Sequence, residues 1–191
     1  MKKYALLLTV FMLAGCHPQD VVAPVKSYKV EGQPYRFKVA RVAVIDDFNT
    51  KPRLRTDVKP EQTLAQVMHE WSDKRLVAAG RENVLEVHLT DADIAKKELP
   101  KEKSGLEGLF TKEQTEQYDG KLSVELKLYT PERTLPIAHA EISAELSRSL
   151  REDANMQDRK RLYRAMTAEL MEQMDEALGR NIQQYFTTYL Q

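Results

Sequence analysis

The sequence has very little cysteine, no excess of either charge and only one apolar run of any length. A single cysteine among 191 residues leaves no partner for an internal disulfide, so the fold has to be stabilised by its core. Lysine and arginine together number 29, as do aspartate and glutamate, and this balance provides no basic surplus for nucleic acid. No apolar segment reaches the roughly 20 residues that a membrane-spanning helix needs. The composition therefore argues against a nucleic-acid-binding protein and against an integral membrane protein.

The one apolar run lies at the start of the chain and ends at the only cysteine. Lys2 and Lys3 precede an apolar stretch over residues 4–13, and Leu13-Ala14-Gly15-Cys16 closes it. A positive start, a short apolar segment and small residues at its end are typical of a signal peptide. The alternative is an ordinary secretory signal in which the cysteine stands by chance.

The tetrapeptide Leu13-Ala14-Gly15-Cys16 resembles the lipobox of bacterial lipoproteins. This resemblance implies that the thiol of Cys16 takes a diacylglyceryl group, that cleavage follows Gly15 and that the new amino group is acylated, for example with palmitate. Each buried methylene contributes about 0.8 kcal/mol, so two or three acyl chains make a durable anchor. His17, where an aspartate tends to retain a lipoprotein in the inner membrane of enteric bacteria, implies the outer membrane, facing the periplasm.

These features predict three segments. Residues 1–15 are a lipoprotein signal peptide, residues 16–34 are the lipidated cysteine with a polar, proline-containing tether, and residues 35–191 form a single domain. The alternative for the tether is that part of it pairs as an edge strand.

Hydrophobic periodicity predicts four strands and two helices within the domain. The strands are Tyr35–Phe48 with a bulge near Ala40-Arg41, Val84–Thr90 with an extension through Ile94, and a hairpin of residues 122–128 and 138–146 that follows a turn at Asp119-Gly120. The helices run from Pro60 to Gly80 and from Met156 to the end of the chain, with a kink or break at Gly179. The order β-α-β-β-β-α predicts an α+β fold, a two-layer sandwich with a four-stranded sheet and both helices on one face.

Catalytic candidates are sparse. None of the four histidines, His17, His69, His88 and His139, has a metal-binding or nucleophile motif around it. Asp46-Asp47 lie at the carboxyl end of the first predicted strand and Asp91-Ala92-Asp93 follow the second, and these residues could serve a carboxylate-based hydrolase or a metal-dependent enzyme if they converged in one pocket. We favour the interpretation that these aspartates are solvated or act as caps at the ends of strands. We therefore expect no catalytic residue, no metal and no cofactor.

Two apolar groups are candidates for partner binding. One is Leu106, Leu109 and Phe110, within a charged loop. The other is Tyr185 and Tyr189, near the end of the last helix. The alternative for both groups is that they pack on the core.

In its element order and size the chain resembles small envelope lipoproteins of Gram-negative bacteria, such as the lipopolysaccharide-assembly lipoprotein and the auxiliary lipoproteins of ABC-type lipid transporters. No functional residue of those families matches a residue here. The resemblance implies a non-enzymatic accessory or binding component of an envelope transport or assembly system. Its partners would be the membrane, through Cys16, and an envelope protein or lipid. The alternatives are the envelope-anchored enzyme above and a lipid carrier, which needs an apolar cavity between sheet and helices.

Overall fold

The computed structural model describes residues 27–50, 58–99, 114–151 and 153–191. Its strands and helices are β1 (Tyr35–Phe37), β2 (Arg41–Asp46), α1 (Leu64–Arg75), β3 (Leu76–Ala78), β4 (Val84–Glu98), β5 (Gln114–Tyr129), β6 (Ala138–Arg151) and α2 (Met156–Tyr185). Short 3-10 turns follow β2 at Asp47–Thr50 and α2 at Thr187–Tyr189.

Four strands form one mixed sheet in the order β2-β4-β5-β6. The pair β2 and β4 is parallel, as expected across a helical crossover, and the other two pairs are antiparallel. Both helices pack on this sheet. The alternate residues Leu122, Val124, Leu126 and Leu128 of β5 are fully buried, because period-two apolar residues all point to the face that the helices cover. The predicted α+β fold with a four-stranded sheet is confirmed.

The first predicted strand is divided into β1 and β2, with the interruption beside the predicted bulge. Both parts pair in parallel, β1 with β3 and β2 with β4. Four positions separate Phe37 from Arg41, whereas six separate their partners Ala78 and Val84. The two registers therefore cannot be joined in one uninterrupted ladder. The small β1–β3 pair was missed because β3 follows α1 with no intervening loop.

The bounds predicted for α1 were wrong at both ends. Thr63 is the N-cap, and it exchanges two hydrogen bonds with Gln66: its hydroxyl accepts from the Gln66 amide at 3.2 Å, and its own amide donates to the Gln66 side chain at 2.8 Å. This capping box starts the helix after Pro60. The helix ends at Arg75, well before Gly80, because Leu76 already pairs with β1.

The turn predicted at Asp119-Gly120 is also wrong, because both residues lie inside β5. Glycine is needed there for a different reason. A Cβ atom at Gly120 would lie 2.8 Å from Leu170 Cδ1 and 3.3 Å from Met166 Cε on α2. The missing side chain therefore lets helix and sheet approach closely.

The second helix is one continuous element, so the break predicted at Gly179 does not occur. Asn155 caps its start, accepting from the amides of Gln157 and Asp158. The predicted apolar stripe is buried at Met166, Leu170, Met174, Leu178 and Ile182. A Cβ atom at Gly179 would lie 2.8 Å from the Tyr35 hydroxyl, so this glycine makes room for β1.

Both ends of the described domain are tied to β1 and the core. Tyr28 and Val30, which fall within the predicted tether, pack against the core. At the other end the Lys38 amide donates to the Tyr189 carbonyl at 2.7 Å and the Gln191 amide to the Arg36 carbonyl at 2.9 Å. The part of the predicted tether that the structure describes thus lies on the domain.

Candidate functional site

The sheet face opposite the helices is polar and carries more carboxylates than cations. Its side chains come from the outward positions of β4, β5 and β6, which alternate with the buried ones. The acidic members are Glu86, Asp91, Asp93, Asp119, Glu125, Glu141 and Glu145, and the basic members are Lys97, Lys121, Lys127 and Arg151. Seven carboxylates against four cations make this surface the acidic sheet face.

His88 lies on this face between two carboxylates. Its Nδ1 is 2.8 Å from Asp47 Oδ2 and its Nε2 is 3.0 Å from Glu86 Oε2, and the side chain is 15% exposed. Both ring nitrogens are therefore engaged. The structure thus brings one predicted carboxylate, Asp47, to a histidine whose two ring nitrogens each lie within hydrogen-bond distance of a carboxylate oxygen.

Asp46 points to the other side of the sheet. Its Oδ1 is 2.8 Å from Nε2 of His69, on α1. Asp46 is the last residue of β2 and Asp47 begins the 3-10 turn that follows, and the two side chains contact histidines on opposite sides of the sheet. The side chain of Asp93 accepts from the amide of Ile94 at 2.9 Å, a local bond at the strand.

Of the predicted carboxylates, Asp46 therefore lies on the helix side of the sheet, whereas Asp47, Asp91 and Asp93 lie on the opposite side. Among the residues described, no group of three or more histidine, cysteine, aspartate or glutamate side chains could hold a metal ion. The remaining strand histidine, His139, is 46% exposed and lies 4.0 Å from Glu125, with β5 between it and His88.

A buried polar cluster joins the segment before β1 to both helices. Asp175 on α2 accepts from Trp71 Nε1 at 2.8 Å and from Arg75 at 3.4 Å. Arg75 also donates to the Gln33 carbonyl at 2.7 Å, and its guanidinium lies 4.9 Å from the ring centroid of Tyr35. Sequence reasoning missed this cluster because its members lie far apart along the chain.

Burial within the same region raises the pKa of Tyr28 well above its usual value, and the negative charge of Asp175 adds to this effect. The Tyr28 hydroxyl therefore stays protonated throughout the physiological range. It contributes to packing at this point without adding a charge.

A second cluster surrounds Glu116, near the start of β5. Its carboxylate accepts two bonds from Arg159, at 2.9 and 2.8 Å, one from the Tyr118 hydroxyl at 3.3 Å, and lies 2.8 Å from Lys96 Nζ. The Arg159 hydrogen bonds, followed by those of Lys96, lower the pKa of Glu116 to about 2. This cluster joins α2 to the end of the β4–β5 hairpin.

A surface cleft of about 330 Å³ lies where residues 27–28, the segment before α1 and the first half of α2 meet. Basic side chains line it, and the buried hydroxyl of Thr167 borders it. One feature of the sequence indicates the cleft. Thr167 lies four positions after Tyr163 on the buried side of α2, where it is a polar residue in an otherwise apolar stripe.

The predicted partner-binding residues differ in their placement. Tyr185 is 51% exposed at the end of α2, whereas Tyr189 is partly buried and packs against the core. Leu106, Leu109 and Phe110 lie outside the described residues, and so does the predicted lipidation site, Cys16. In the part of the chain that the structure describes, no helix combines the length and the apolar character needed to cross a membrane.

No protein-family model matches the chain, and no curated protein is significantly similar to it. Similar solved structures include a minor lipoprotein from Acinetobacter baumannii, with 11% identity and a TM-score of 0.38 over 74% of this chain and 92% of that one. Rare lipoprotein B from Shewanella oneidensis is 14% identical, with a TM-score of 0.36 over 75% of this chain and 98% of that one. Uncharacterized lipoprotein B from Nitrosomonas europaea is 13% identical, with a TM-score of 0.35 over 78% and 88%. Similarities this slight carry no argument about function.

Proposed function

We propose that this protein is a lipid-anchored lipoprotein of the bacterial cell envelope that acts by binding and has no catalytic activity. The observation that carries the proposal is Leu13-Ala14-Gly15-Cys16, a lipobox-like sequence at the end of a short apolar run that contains the only cysteine of the chain. With His17 as the next residue, the expected location is the outer membrane, facing the periplasm.

The geometry of the domain supports binding over catalysis. The candidate carboxylates are distributed over both faces of the sheet, where Asp46 and Asp47 contact different histidines. In the described residues the layer between sheet and helices is filled by fully buried side chains such as Trp71, Leu126 and Leu170. This packing leaves no room there for the apolar cavity that a lipid carrier needs.

Binding would therefore take place on the surface. The acidic sheet face and the exposed ring of Tyr185 are two of the described surfaces that could serve it, and Leu106, Leu109 and Phe110 remain predicted contacts. An envelope protein is the partner class that we propose, within a transport or assembly system. A balanced net charge and an acidic sheet face both disfavour nucleic acid.

The anchor is tested by the substitution Cys16→Ser in the bacterial host. We expect incorporation of labelled palmitate to be lost completely, because serine provides no thiol for the diacylglyceryl group. The variant His17→Ser is the matched control and should be labelled like the wild-type protein. Cleavage after Gly15 in the Cys16→Ser variant would instead demonstrate an ordinary secretory signal and contradict the proposal.

Partner binding is tested with a photo-crosslinking amino acid placed at Tyr185 or at Glu141, on the acidic sheet face. Irradiation of intact cells should give a discrete adduct larger than the protein at one of these positions. The control position is Glu132, in the exposed β5–β6 turn, where we expect at least fivefold less adduct. Equal yields at all three positions, or recovery of the protein only as a free monomer, would contradict a specific partner.

A further inference from the structure

The cleft described above has a positive lining. Lys59, Lys160 and Arg164 border it, with Glu61 as its single carboxylate. Glu61 is 88% exposed and lies 3.4 Å from Arg164, a weak pairing at the surface. Neither lysine forms an ion pair with another residue that the structure describes. The cleft therefore has a surplus of positive charge that its own side chains do not neutralise.

A buried hydroxyl supplies a second, independent indication of a ligand. Thr167 is 7% exposed, and its Oγ1 has no hydrogen-bond partner in the described structure. Buried hydroxyls are normally hydrogen-bonded, because leaving one unpaired forfeits its bonds with water. Thr167 borders the cleft, so an acceptor atom bound inside would satisfy it.

Apart from the polar side chains of Ser27 and Gln62, the remaining lining is apolar or aromatic. Tyr28, Val67 and Tyr163 contribute to the walls, and the last two are at least nine-tenths buried. The site thus places cationic groups and a hydroxyl donor next to carbon-rich surface. A matching ligand has an anionic group that accepts several hydrogen bonds, joined to an apolar or glycerol-like part.

We infer that this cleft binds a phosphate ester. Phosphate oxygens accept several charge-assisted hydrogen bonds at once, from lysine, arginine and hydroxyl donors. The one carboxylate already at the cleft, Glu61, leaves most of the positive charge uncompensated. A single carboxylate on a ligand is therefore a weaker match than a phosphate group. The ester's organic part would lie against Tyr28 and Tyr163.

The position of the cleft favours a lipid headgroup as the source of the phosphate, and this step depends on the proposed anchor. Cys16 and Ser27, which lines the cleft, are eleven positions apart. Whatever its conformation, a chain of eleven residues spans at most about 40 Å. An anchor at Cys16 would therefore hold the cleft within reach of phospholipid headgroups. A soluble phosphate ester has the same anionic chemistry, and the experiment below separates the two sources.

The test uses the full lipidated chain, purified in an uncharged detergent and titrated by calorimetry. The probes are dihexanoyl phosphatidylglycerol below its micelle concentration, inorganic phosphate and a tetraglutamate peptide. We expect phosphatidylglycerol to bind, and the variant Lys160→Ala/Arg164→Ala to bind it at least tenfold more weakly. Thr167→Val, which keeps the side-chain shape without the hydroxyl, should weaken binding about threefold, a loss typical of one hydrogen bond.

Matched controls remove cations from the same helices outside the cleft. Lys74→Ala on α1 and Arg180→Ala on α2 should bind phosphatidylglycerol like the wild-type protein. Affinity for inorganic phosphate equal to that for phosphatidylglycerol would support the phosphate site with a soluble source, whereas clearly tighter binding of the lipid would support the headgroup.

The inference is overturned if neither phosphate probe binds, if tetraglutamate binds as tightly as phosphatidylglycerol, or if the control variants weaken binding as much as the cleft variants. Thermal unfolding of each variant verifies that it is folded. Palmitate labelling at Cys16 is measured separately, so a labelled protein that binds no phosphate would contradict this inference and leave the proposed anchor intact.

Discussion

Replacement of Asp175 by alanine is expected to lower the free energy of unfolding by about 3 kcal/mol. The substitution leaves the Trp71 indole N–H and the Arg75 guanidinium without their shared acceptor. Arg75 is only 9% exposed at its side chain, whereas Asp175 is 27% exposed. Water can therefore reach the vacated position in part, and this places the loss at the lower end of the range for buried ion pairs.

Urea denaturation followed by circular dichroism measures this loss, and two further variants identify its cause. Asp175→Asn retains an acceptor for Trp71 but removes the charge opposite Arg75, so its loss should be intermediate. Glu176→Ala is the matched control at the next position, where the carboxylate is 77% exposed and 3.7 Å from Arg180. Its effect should stay below about 1 kcal/mol. Equal losses for Asp175→Ala and Glu176→Ala would contradict a buried role for Asp175.

The cluster around Asp175 also holds the described segment before β1 against the helices. Arg75 donates to the backbone of Gln33 and lies over the ring of Tyr35. Loss of the Asp175 carboxylate should therefore loosen residues 27–34 from the helices. Faster hydrogen exchange at the β1 amides in Asp175→Ala than in Glu176→Ala would report this loosening.

Stability is expected to fall in acid as Glu116 loses its charge. Its pKa is about 2 in the folded protein against an ordinary 4.5, so between these values the unfolded chain takes up a proton that the folded chain does not. The contribution of Glu116 is therefore complete above about pH 5 and is lost as the pH falls toward 2. It amounts to about 3 kcal/mol by proton linkage, as an upper value because the group retains some contact with water.

The variant Glu116→Gln tests this assignment. At pH 7 it should lose about 3 kcal/mol, since Arg159 and Lys96 keep their charges without the carboxylate, and its stability should depend less on pH between 5 and 2. Some acid dependence remains, because the pKa values of Asp119 and Glu70 are also lowered, by hydrogen bonds from Ser147 and Lys74 respectively.

The control for this experiment is Glu169→Gln. Glu169 also accepts two bonds from an arginine, at 2.8 and 2.7 Å, but both come from Nη2 of Arg148, whereas Glu116 accepts from two nitrogens of Arg159. The side chains of Arg148 and Glu169 are both more than 40% exposed, so the loss of stability at pH 7 should stay below about 1 kcal/mol. If Glu116→Gln and wild type showed the same slope of stability against pH, Glu116 would not be the titrating group.

The Glu116 cluster bears on the proposed binding role. Glu98 and Glu116 are paired in the β4–β5 hairpin, and the connection between these strands contains the predicted contact residues Leu106, Leu109 and Phe110. Arg159 holds the base of that connection against α2. A partner that binds those three residues should therefore bind Glu116→Gln more weakly than wild type at neutral pH.

Local sequence patterns determined most of the secondary structure. The alternation over residues 122–128 and 138–146 predicted two paired strands, and the four-residue stripe after Met156 predicted the long helix. Both are correct because burial on one face imposes a fixed period on neighbouring residues. The same local information predicts the anchor at Cys16, whose signal lies in consecutive residues.

Tertiary structure alone decided the features that depend on distant segments. Asp119-Gly120 has the composition of a turn, yet Gly120 lies within a strand, where it pairs with Ile94 and Leu146. Its missing side chain leaves room for Leu170 and Met166 of α2. Trp71 and Asp175 are 104 positions apart, and the cleft combines three separate segments. A local sequence pattern indicates which residues are buried. Packing between elements that are remote in sequence decides which of the buried surfaces contact each other.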